Sequence, residues 1–128
     1  MKEGFDGRAG LVVVPVEVAG RAGSAQLRFA LDTGATSTLV RPIHLEALGY
    51  NAADALGHVQ MTTGSGVESV SRLVVRSLSA LGHSRGNMPV LAHNLPPSAT
   101  VDGLLGLDFF RGGRLELDFR QGMVGFEP

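Results

Sequence analysis

A chain of 128 residues with 18 glycines and no cysteine suits one domain and leaves little room for a second. The absence of cysteine excludes disulfides, thiolate zinc sites and a cysteine nucleophile. The net charge is −1 with acids and bases interspersed, which argues against nucleic acid or an anionic membrane surface as the main partner. We therefore expect a single domain over residues 1–128, with its core at about 10–127.

The opening segment, MKEGFDGRAG, has no apolar h-region, and the longest apolar run, LVVVPVEV, is too short to span a bilayer. As written, the chain is expected to be soluble and, by default, cytoplasmic, although the sequence leaves its compartment unknown. It is equally compatible with one domain of a larger anchored protein.

The first half of the chain predicts a β-hairpin followed by a short helix. Residues 11–20 are rich in β-branched side chains, and residues 24–32 alternate apolar and polar positions, so the hairpin ends at Asp32. Pro15 favours an edge position or a bulge in the first strand. In RPIHLEALGY, Pro42 indicates the first helical residue and Gly49 the C-terminal stop.

The middle of the chain predicts more strands and frequent turns. Residues 58–75 form two strand-like arms around Thr63-Gly64-Ser65-Gly66, which is typical of a flexible hairpin tip. Residues 77–95 are expected to hold further short strands, followed by a Pro96-Pro97 loop. Together with the many glycines, this pattern indicates an all-β domain.

The last part of the chain predicts a short helix and a second hairpin. Residues 101–110 place an apolar pair between two glycines and then a short, helical, apolar segment. The tail alternates, with Leu115, Leu117 and Phe119 on one face. A Gln121-Gly122 turn then leads into a last strand.

Asp32 is the candidate catalytic residue. It ends an apolar strand within FALDTGATSTLV and is followed by Gly34 and the small Ala35. Because glycine lets the backbone approach a carboxylate closely, this pattern suits a positioned carboxylate better than a solvated turn acid. For the tripeptide alone, the alternative is that Asp32 and Thr33 simply cap a turn.

A single carboxylate is half of a catalytic pair of carboxylates. Two carboxylates that share a proton can activate a water molecule and then protonate a leaving amine. This sequence has one Asp-Thr-Gly, at residues 32–34, and no second Asp-Thr-Gly or Asp-Ser-Gly. If this chemistry exists, the other carboxylate must come from a second chain.

The remaining polar residues favour structural roles. We expect Asp102 to form a turn and Asp108 to hydrogen-bond local backbone near a helix start. TTGSG is not followed by Gly-Lys-Ser/Thr, so it does not predict a phosphate loop, and Ser65 has no base at a readable spacing. No metal and no cofactor are expected, because metal-ligand spacing is absent among the four histidines, which are therefore expected at the surface or in loops: His44, His58, His83 and His93.

Three segments in order resemble the retropepsin-like aspartic proteases, the single-domain relatives of pepsin. They are FALDTGATSTLV, the glycine-tipped hairpin near Gly64 to Gly66, and DGLLGLDFF, and the resemblance runs from about residue 10 to residue 127. It implies an all-β, retropepsin-like (acid protease) closed β-barrel with one or two short helices, active as a homodimer.

The resemblance also implies roles for particular residues. Asp32 would be the catalytic carboxylate, one from each protomer, and Thr33 would hydrogen-bond across the dimer. Gly34 would offer its N–H to the carboxylate. The other active-site loop residues would be Ala35 and, packed beneath the loop, Leu104, Leu105 and Gly106. The hairpin would be a flap whose backbone pairs with an extended peptide substrate, and it comprises Met61, Thr62, Thr63, Gly64, Ser65, Gly66 and Val67.

Two positions depart from the retroviral pattern. Retroviral members usually have Asp where this chain has Thr36 and Arg where it has Leu107, and the two form an ion pair there. Both partners are absent here, which suggests a bacterial or cellular branch of the family. Retroviral substrate preference and dimer stability are therefore not transferred.

The leading expectation is an aspartic endopeptidase that hydrolyses peptide bonds through two Asp32 residues and a shared activated water, at acidic to neutral pH. The alternative is a catalytically inactive dimerisation or peptide-binding module, as part of a larger protein or on its own. A third hypothesis is a regulated domain that is active only when tethering raises its local concentration. The segments LVVVPV and MVGF are the candidates for the dimer interface.

Overall fold

The computed structural model describes residues 1–62 and 64–128, and Thr63 enters only as the last residue of a strand. Within this described part the fold is mostly β, with two short α-helices and a 3₁₀ helix at Ala52–Asp54. The helices are α1 (Pro42–Ala47) and α2 (Leu107–Phe110). The strands are β1 (Lys2–Gly4), β2 (Val13–Gly20), β3 (Gly23–Leu31), β4 (Leu39–Val40), β5 (Gly57–Thr63), β6 (Gly66–Ala80), β7 (His83–Ala92), β8 (Gly103–Leu105), β9 (Arg114–Asp118) and β10 (Met123–Glu127).

Six strands close into a barrel, as predicted. They follow the order β2-β3-β8-β4-β7-β6, and β6 then pairs with β2 from Glu17 to Ala19, which completes the ring. β5 lies beyond β6 at the end of this order. The outer part of the β5–β6 hairpin therefore projects from the barrel wall.

The β2–β3 hairpin is the part that the sequence pattern describes best. Val14, Val16 and Val18 are buried, because alternate side chains of a strand point to the same face. Pro15 is exposed and lies opposite Arg28, before the pairing of β2 with β6 begins at Glu17. Its expected edge position is thus confirmed, since a proline there costs no ladder hydrogen bond.

Helix α1 is also confirmed. Pro42 is its first residue, where the missing N–H has no partner to lose. Gly49 follows the helix with a φ of 92°, a left-handed conformation that glycine adopts without strain.

The region from residue 77 to residue 95 differs from the prediction of several short strands. β6 is one strand of 15 residues, and β7 is a strand of 10. The buried side of β6 changes along its length: Leu73 and Val75 are buried, and so are Leu78 and Ala80. A single long strand thus contributes both to the barrel and to the projecting hairpin.

Strand β8 lies between two segments distant from it in sequence. It runs parallel to β3, with Leu105 beside Leu31, and antiparallel to β4, with Leu104 beside Leu39. This crossing brings the segment before α2 directly beside the end of β3 where Asp32 lies.

A separate three-stranded sheet, in the order β1-β10-β9, joins the two ends of the chain. Leu115 and Leu117 are half-buried, but Phe119 falls outside β9, is 65% exposed and packs edge-to-face on Phe5. The predicted alternation of apolar side chains on one face therefore holds for Leu115 and Leu117 but not for Phe119.

The segments proposed for a dimer interface are largely used within the chain itself. Val14, Val16, Val124 and Phe126 are fully or almost fully buried in its own core. The buried side chains of LVVVPV and MVGF thus belong to the chain's own core, whereas Leu11 is 47% exposed, and the predicted interface stays a prediction. Across the described residues, neither α-helix has the length and apolar character needed to cross a bilayer.

Candidate active site

Asp32 lies one residue beyond the end of β3, at the edge of the barrel. Its N–H donates to the carbonyl oxygen of Leu105 at 2.9 Å, which extends the β3–β8 ladder by one step. Its side chain is half-buried. The apolar strand therefore holds the backbone of Asp32 while part of its side chain reaches solvent.

The carboxylate of Asp32 is oriented by the turn that follows. The N–H of Gly34 donates to Oδ1 at 2.8 Å, and the N–H of Ala35 donates to the Asp32 carbonyl oxygen at 3.2 Å. A Cβ atom at residue 34 would lie 3.1 Å from the same Oδ1. Glycine at this position therefore allows the close approach that the sequence predicted.

The segment after β8 supports this turn from below. The N–H of Leu107 donates to the carbonyl oxygen of Ala35 at 2.8 Å. A Cβ atom at Gly106 would lie 2.8 Å from the backbone of Ser37 and 2.9 Å from the Ala35 carbonyl oxygen. The predicted loop residues from 32–35 and from 104–106 are thus brought together in one structure.

Thr38 and Asp108 connect the two halves of this structure, and sequence reasoning missed the connection. Thr38 is fully buried, and its N–H and its hydroxyl both donate to the Asp108 carboxylate, at 3.0 and 2.7 Å. The Thr38 hydroxyl also accepts from the N–H of Gly106 at 3.1 Å. The prediction that Asp108 bonds local backbone was wrong, because its partner lies 70 residues earlier in the chain.

Thr33 and the two positions that depart from the retroviral pattern, Thr36 and Leu107, differ in their exposure. Thr33 and Thr36 are exposed, and Leu107 is half-buried. Neither Thr36 nor Leu107 has a charged side chain, so they cannot form the ion pair of the retroviral members, as the sequence indicated.

The predicted flap is the outer part of the β5–β6 hairpin. Met61 is half-buried, whereas Val67 near the turn is 66% exposed. Thr62, Gly64, Ser65 and Gly66 are exposed as well. The prediction for Thr63 lies outside the described residues.

Two histidines pair with carboxylates that sequence reasoning did not connect to them. His93 Nε2 lies 3.2 Å from Glu68 Oε2, and His44 Nε2 lies 2.9 Å from Asp102 Oδ1. Asp102 does more than form a turn, since its Oδ2 accepts from the N–H of Arg28 at 2.9 Å. The sequence marks neither pair, because each joins residues far apart in the chain.

Arg41 fixes the loop that leads into β8. Its guanidinium donates to three carbonyl oxygens of this loop, those of Leu95 at 3.2 Å, Ala99 at 2.6 Å and Val101 at 2.8 Å. This loop connects His93 at one end with Asp102 at the other. Arg41 therefore holds the segment between His93, which contacts Glu68 of the β5–β6 hairpin, and β8, whose Leu105 binds the N–H of Asp32.

Among the described residues, no group of three or more His, Cys, Asp or Glu side chains is arranged to hold a metal ion. A cavity of about 200 Å³ is present beside α1, lined by Leu45, Tyr50, Leu73 and neighbouring residues. None of the predicted site residues lines it.

Comparison with known families gives one match. A family model described as aspartyl protease matches residues 14–109, which is three quarters of the chain. The matched range includes the Asp32 turn, the β5–β6 hairpin and the segment through β8 into α2. The comparison with curated proteins gave no match.

Solved structures share the fold. A crystal structure of a retropepsin-like aspartic protease from Rickettsia conorii aligns over 97% of this chain and 86% of that one, with a TM-score of 0.72 and 16% sequence identity. The solution structure of the simian foamy virus (mac) protease aligns over 75% of this chain and 88% of that one, with a TM-score of 0.52 and 20% identity. The expected retropepsin-like architecture is therefore confirmed.

Proposed function

We propose that this chain, which belongs to the aspartyl protease family, is an endopeptidase whose active site is completed by a second copy of itself. The observation that carries this proposal is Asp32 at the end of β3, half-exposed and oriented by the N–H of Gly34. The sequence has one Asp-Thr-Gly, so each chain supplies one such carboxylate. A two-fold pair of chains brings two together.

In this proposal the two Asp32 carboxylates share one proton. Aspartic proteases are themselves the standard example of such a dyad, because like charges a few ångströms apart oppose double ionisation. The ionised Asp32 takes a proton from a water molecule, which attacks the carbonyl carbon of the substrate. The protonated Asp32 donates its proton to the carbonyl oxygen, and a tetrahedral intermediate forms.

The second half of the reaction returns the dyad to its starting state. The carboxyl group formed from the first Asp32 gives its proton to the nitrogen of the peptide bond, and the C–N bond breaks. The hydroxyl proton of the intermediate passes to the other Asp32 as the new carboxylic acid forms. Water is consumed, one amine and one carboxylic acid are produced, and one shared proton remains.

The β5–β6 hairpin supplies the binding surface in this proposal. Its outer strands project beyond the barrel and carry backbone groups that an extended peptide can pair with as an added strand. Such pairing gives affinity through main-chain hydrogen bonds, and side-chain pockets then add selectivity.

The test is cleavage of a mixture of quenched fluorescent peptides by the wild-type chain and by the Asp32→Asn variant, from pH 4 to pH 8. Asn keeps an oxygen for the Gly34 hydrogen bond but cannot share the proton. A matched control is Asp6→Asn, since Asp6 also accepts a hydrogen bond from the N–H two residues later, that of Arg8 at 2.9 Å. We expect activity in the wild type and Asp6→Asn, and a loss of at least about 1,000-fold in Asp32→Asn.

Equal residual cleavage by the wild type and Asp32→Asn would remove Asp32 from the mechanism. Sedimentation at the assay concentration accompanies the kinetics. A chain that binds peptides, forms dimers and cleaves none would favour the alternative of a catalytically inactive peptide-binding module. A chain that is monomeric and inactive alone, but active when fused to a dimeric partner, would favour the tethered domain.

A further inference from the structure

The β5–β6 hairpin has one apolar face. Antiparallel pairing places Val59 opposite Val70 and Met61 opposite Glu68, so these four side chains share a face. Val70 is 2% exposed, and Val59 and Met61 are half-buried, whereas Gln60 on the other face is exposed. The face with Val70 is therefore the one turned toward the rest of the chain.

Glu68 is a charged residue on this apolar face. Its Oε2 lies 3.2 Å from His93 Nε2, and the two side chains are 45% and 29% exposed. This contact uses one of the two carboxylate oxygens, so the other oxygen and most of the lone-pair sites remain available to a further donor. The carboxylate is held in place by His93 and can still accept hydrogen bonds from another group.

The partner of Glu68 connects the hairpin to the neighbourhood of Asp32. His93 directly follows β7, and its N–H donates to the carbonyl oxygen of Val40 at 3.3 Å. Val40 pairs with Gly103 in β8, and β8 continues to Leu105, whose carbonyl oxygen accepts the N–H of Asp32. These pairings link the Glu68 side of the hairpin to Asp32 through neighbouring strands, with Gly103 at the start of β8 and Leu105, the partner of Asp32, two residues further along it.

We propose that Glu68 is a specificity-determining residue that selects a lysine or arginine side chain of the substrate at one position beneath the hairpin. This inference rests on the proposed function, because it takes the peptide to lie between the hairpin and Asp32. A basic side chain meets a fixed carboxylate there, and its aliphatic stem lies against Met61 and Val59. An acidic side chain at the same position meets a like charge without a compensating donor.

The test measures binding in the Asp32→Asn background, so that it does not depend on cleavage. Labelled peptides of one length carry Arg, Gln or Glu at each position in turn, and fluorescence anisotropy gives their dissociation constants. At one position we expect the Arg peptide to bind about tenfold more tightly than the Gln peptide, and the Glu peptide more weakly than both. Adding Glu68→Gln should reduce the Arg-to-Gln ratio to below about twofold, and Glu68→Lys should favour the Glu peptide.

Two further variants keep the test specific. Glu46→Gln removes one negative charge from an exposed site on α1, and the Arg preference should persist. His93→Gln replaces the imidazole by an amide that keeps an N–H donor for Glu68, so the Arg preference should persist. Circular dichroism and thermal unfolding establish that each variant is folded.

The outcomes separate this inference from the proposed function. If the wild-type chain cleaves peptides but shows no basic preference, or if Glu68→Gln keeps the preference, the inference is wrong and the proposed function stands. If the chain binds basic peptides through Glu68 but cleaves none, the proposed function is wrong and the charge selection stands. If no peptide binds, both are overturned.

Discussion

The carboxylate of Asp108 accepts hydrogen bonds from both the N–H and the hydroxyl of Thr38, a residue 70 positions earlier in the chain. Because the same hydroxyl accepts from the N–H of Gly106, three segments meet at one buried side chain. Asp32 depends on this arrangement, since its turn and the segment under it are the two parts that Thr38 joins. The contribution of the Thr38 hydroxyl to the free energy of unfolding can be measured.

Replacing Thr38 by valine keeps the shape of the side chain but removes its hydroxyl. The N–H of Gly106 then has no acceptor at this site, and Asp108 loses one of its donors. We expect the free energy of unfolding to fall by about 1–3 kcal/mol, the cost of a buried hydrogen bond left unmade. Urea denaturation followed by circular dichroism measures this.

The matched control for Thr38→Val is Thr36→Val, two residues earlier and exposed. Its effect on stability should stay within about 0.5 kcal/mol. A loss of the same size in both variants would mean that the buried hydroxyl has no special role.

Gly106→Ala should lower the stability of the protein more than the addition of one methyl group usually does. The added Cβ would lie 2.8 Å from the carbonyl of Ser37, and these are backbone atoms that a side-chain rotation cannot move aside. We expect a loss of about 2–4 kcal/mol in stability, together with loss of peptide cleavage, because the turn of Asp32 must shift. Thermal unfolding and the peptide assay test this.

Gly10→Ala provides the comparison for that variant, because nothing lies within 4 Å of a Cβ atom at Gly10. Its melting temperature should match that of the wild type or rise slightly. A Gly106→Ala chain as stable as Gly10→Ala would show that the loops relax without cost.

Arg41→Lys should loosen the loop between Leu95 and Val101. Arginine supplies three donors to three carbonyl oxygens there, and the point charge of lysine cannot reproduce that fork. We expect faster amide hydrogen exchange in this loop and a loss of about 1–3 kcal/mol in stability. Arg120→Lys is the control, because Arg120 is exposed, and its exchange rates and stability should match those of the wild type. Unchanged exchange in Arg41→Lys would contradict the role given to Arg41.

Mixing chains tests whether two Asp32 residues work together. When wild-type and Asp32→Asn chains are mixed in equal amounts and allowed to exchange partners, about half of the wild-type chains pair with a variant chain. Cleavage per wild-type chain should then fall to about half. A wild-type rate that is unaffected by the variant would indicate that a single chain carries the activity.

Short-range patterns in the sequence predicted the local elements. The alternation around Val14 to Val18 predicted a strand with one buried face, and Pro42 and Gly49 marked the ends of α1. These predictions succeed because strand and helix periods, turns and caps depend on residues only a few positions apart. The turn of Asp32 belongs to the same class, since its hydrogen bond from Gly34 is local.

Long-range partners could not be predicted in the same way. Asp108 near the start of a helix looks like a local cap, and only the position of β8 between β3 and β4 brings Thr38 to it. His93 and Glu68 likewise meet because β6 and β7 pair in one particular register. Such contacts follow from how the chain closes into a barrel, and a single sequence contains no periodic signal for them.

The outer and inner parts of β6 differ in local stability. From Ser71 onward it pairs with β7 and contributes buried side chains to the barrel, whereas its first residues pair with β5 alone. The backbone hydrogen bonds of the outer part can therefore open without unfolding the inner part, and amide protons should exchange progressively faster from Leu73 toward Val67. The end of the β6–β7 pairing at Ala92 therefore marks the boundary between the locally opening part of the hairpin and the part that unfolds with the barrel.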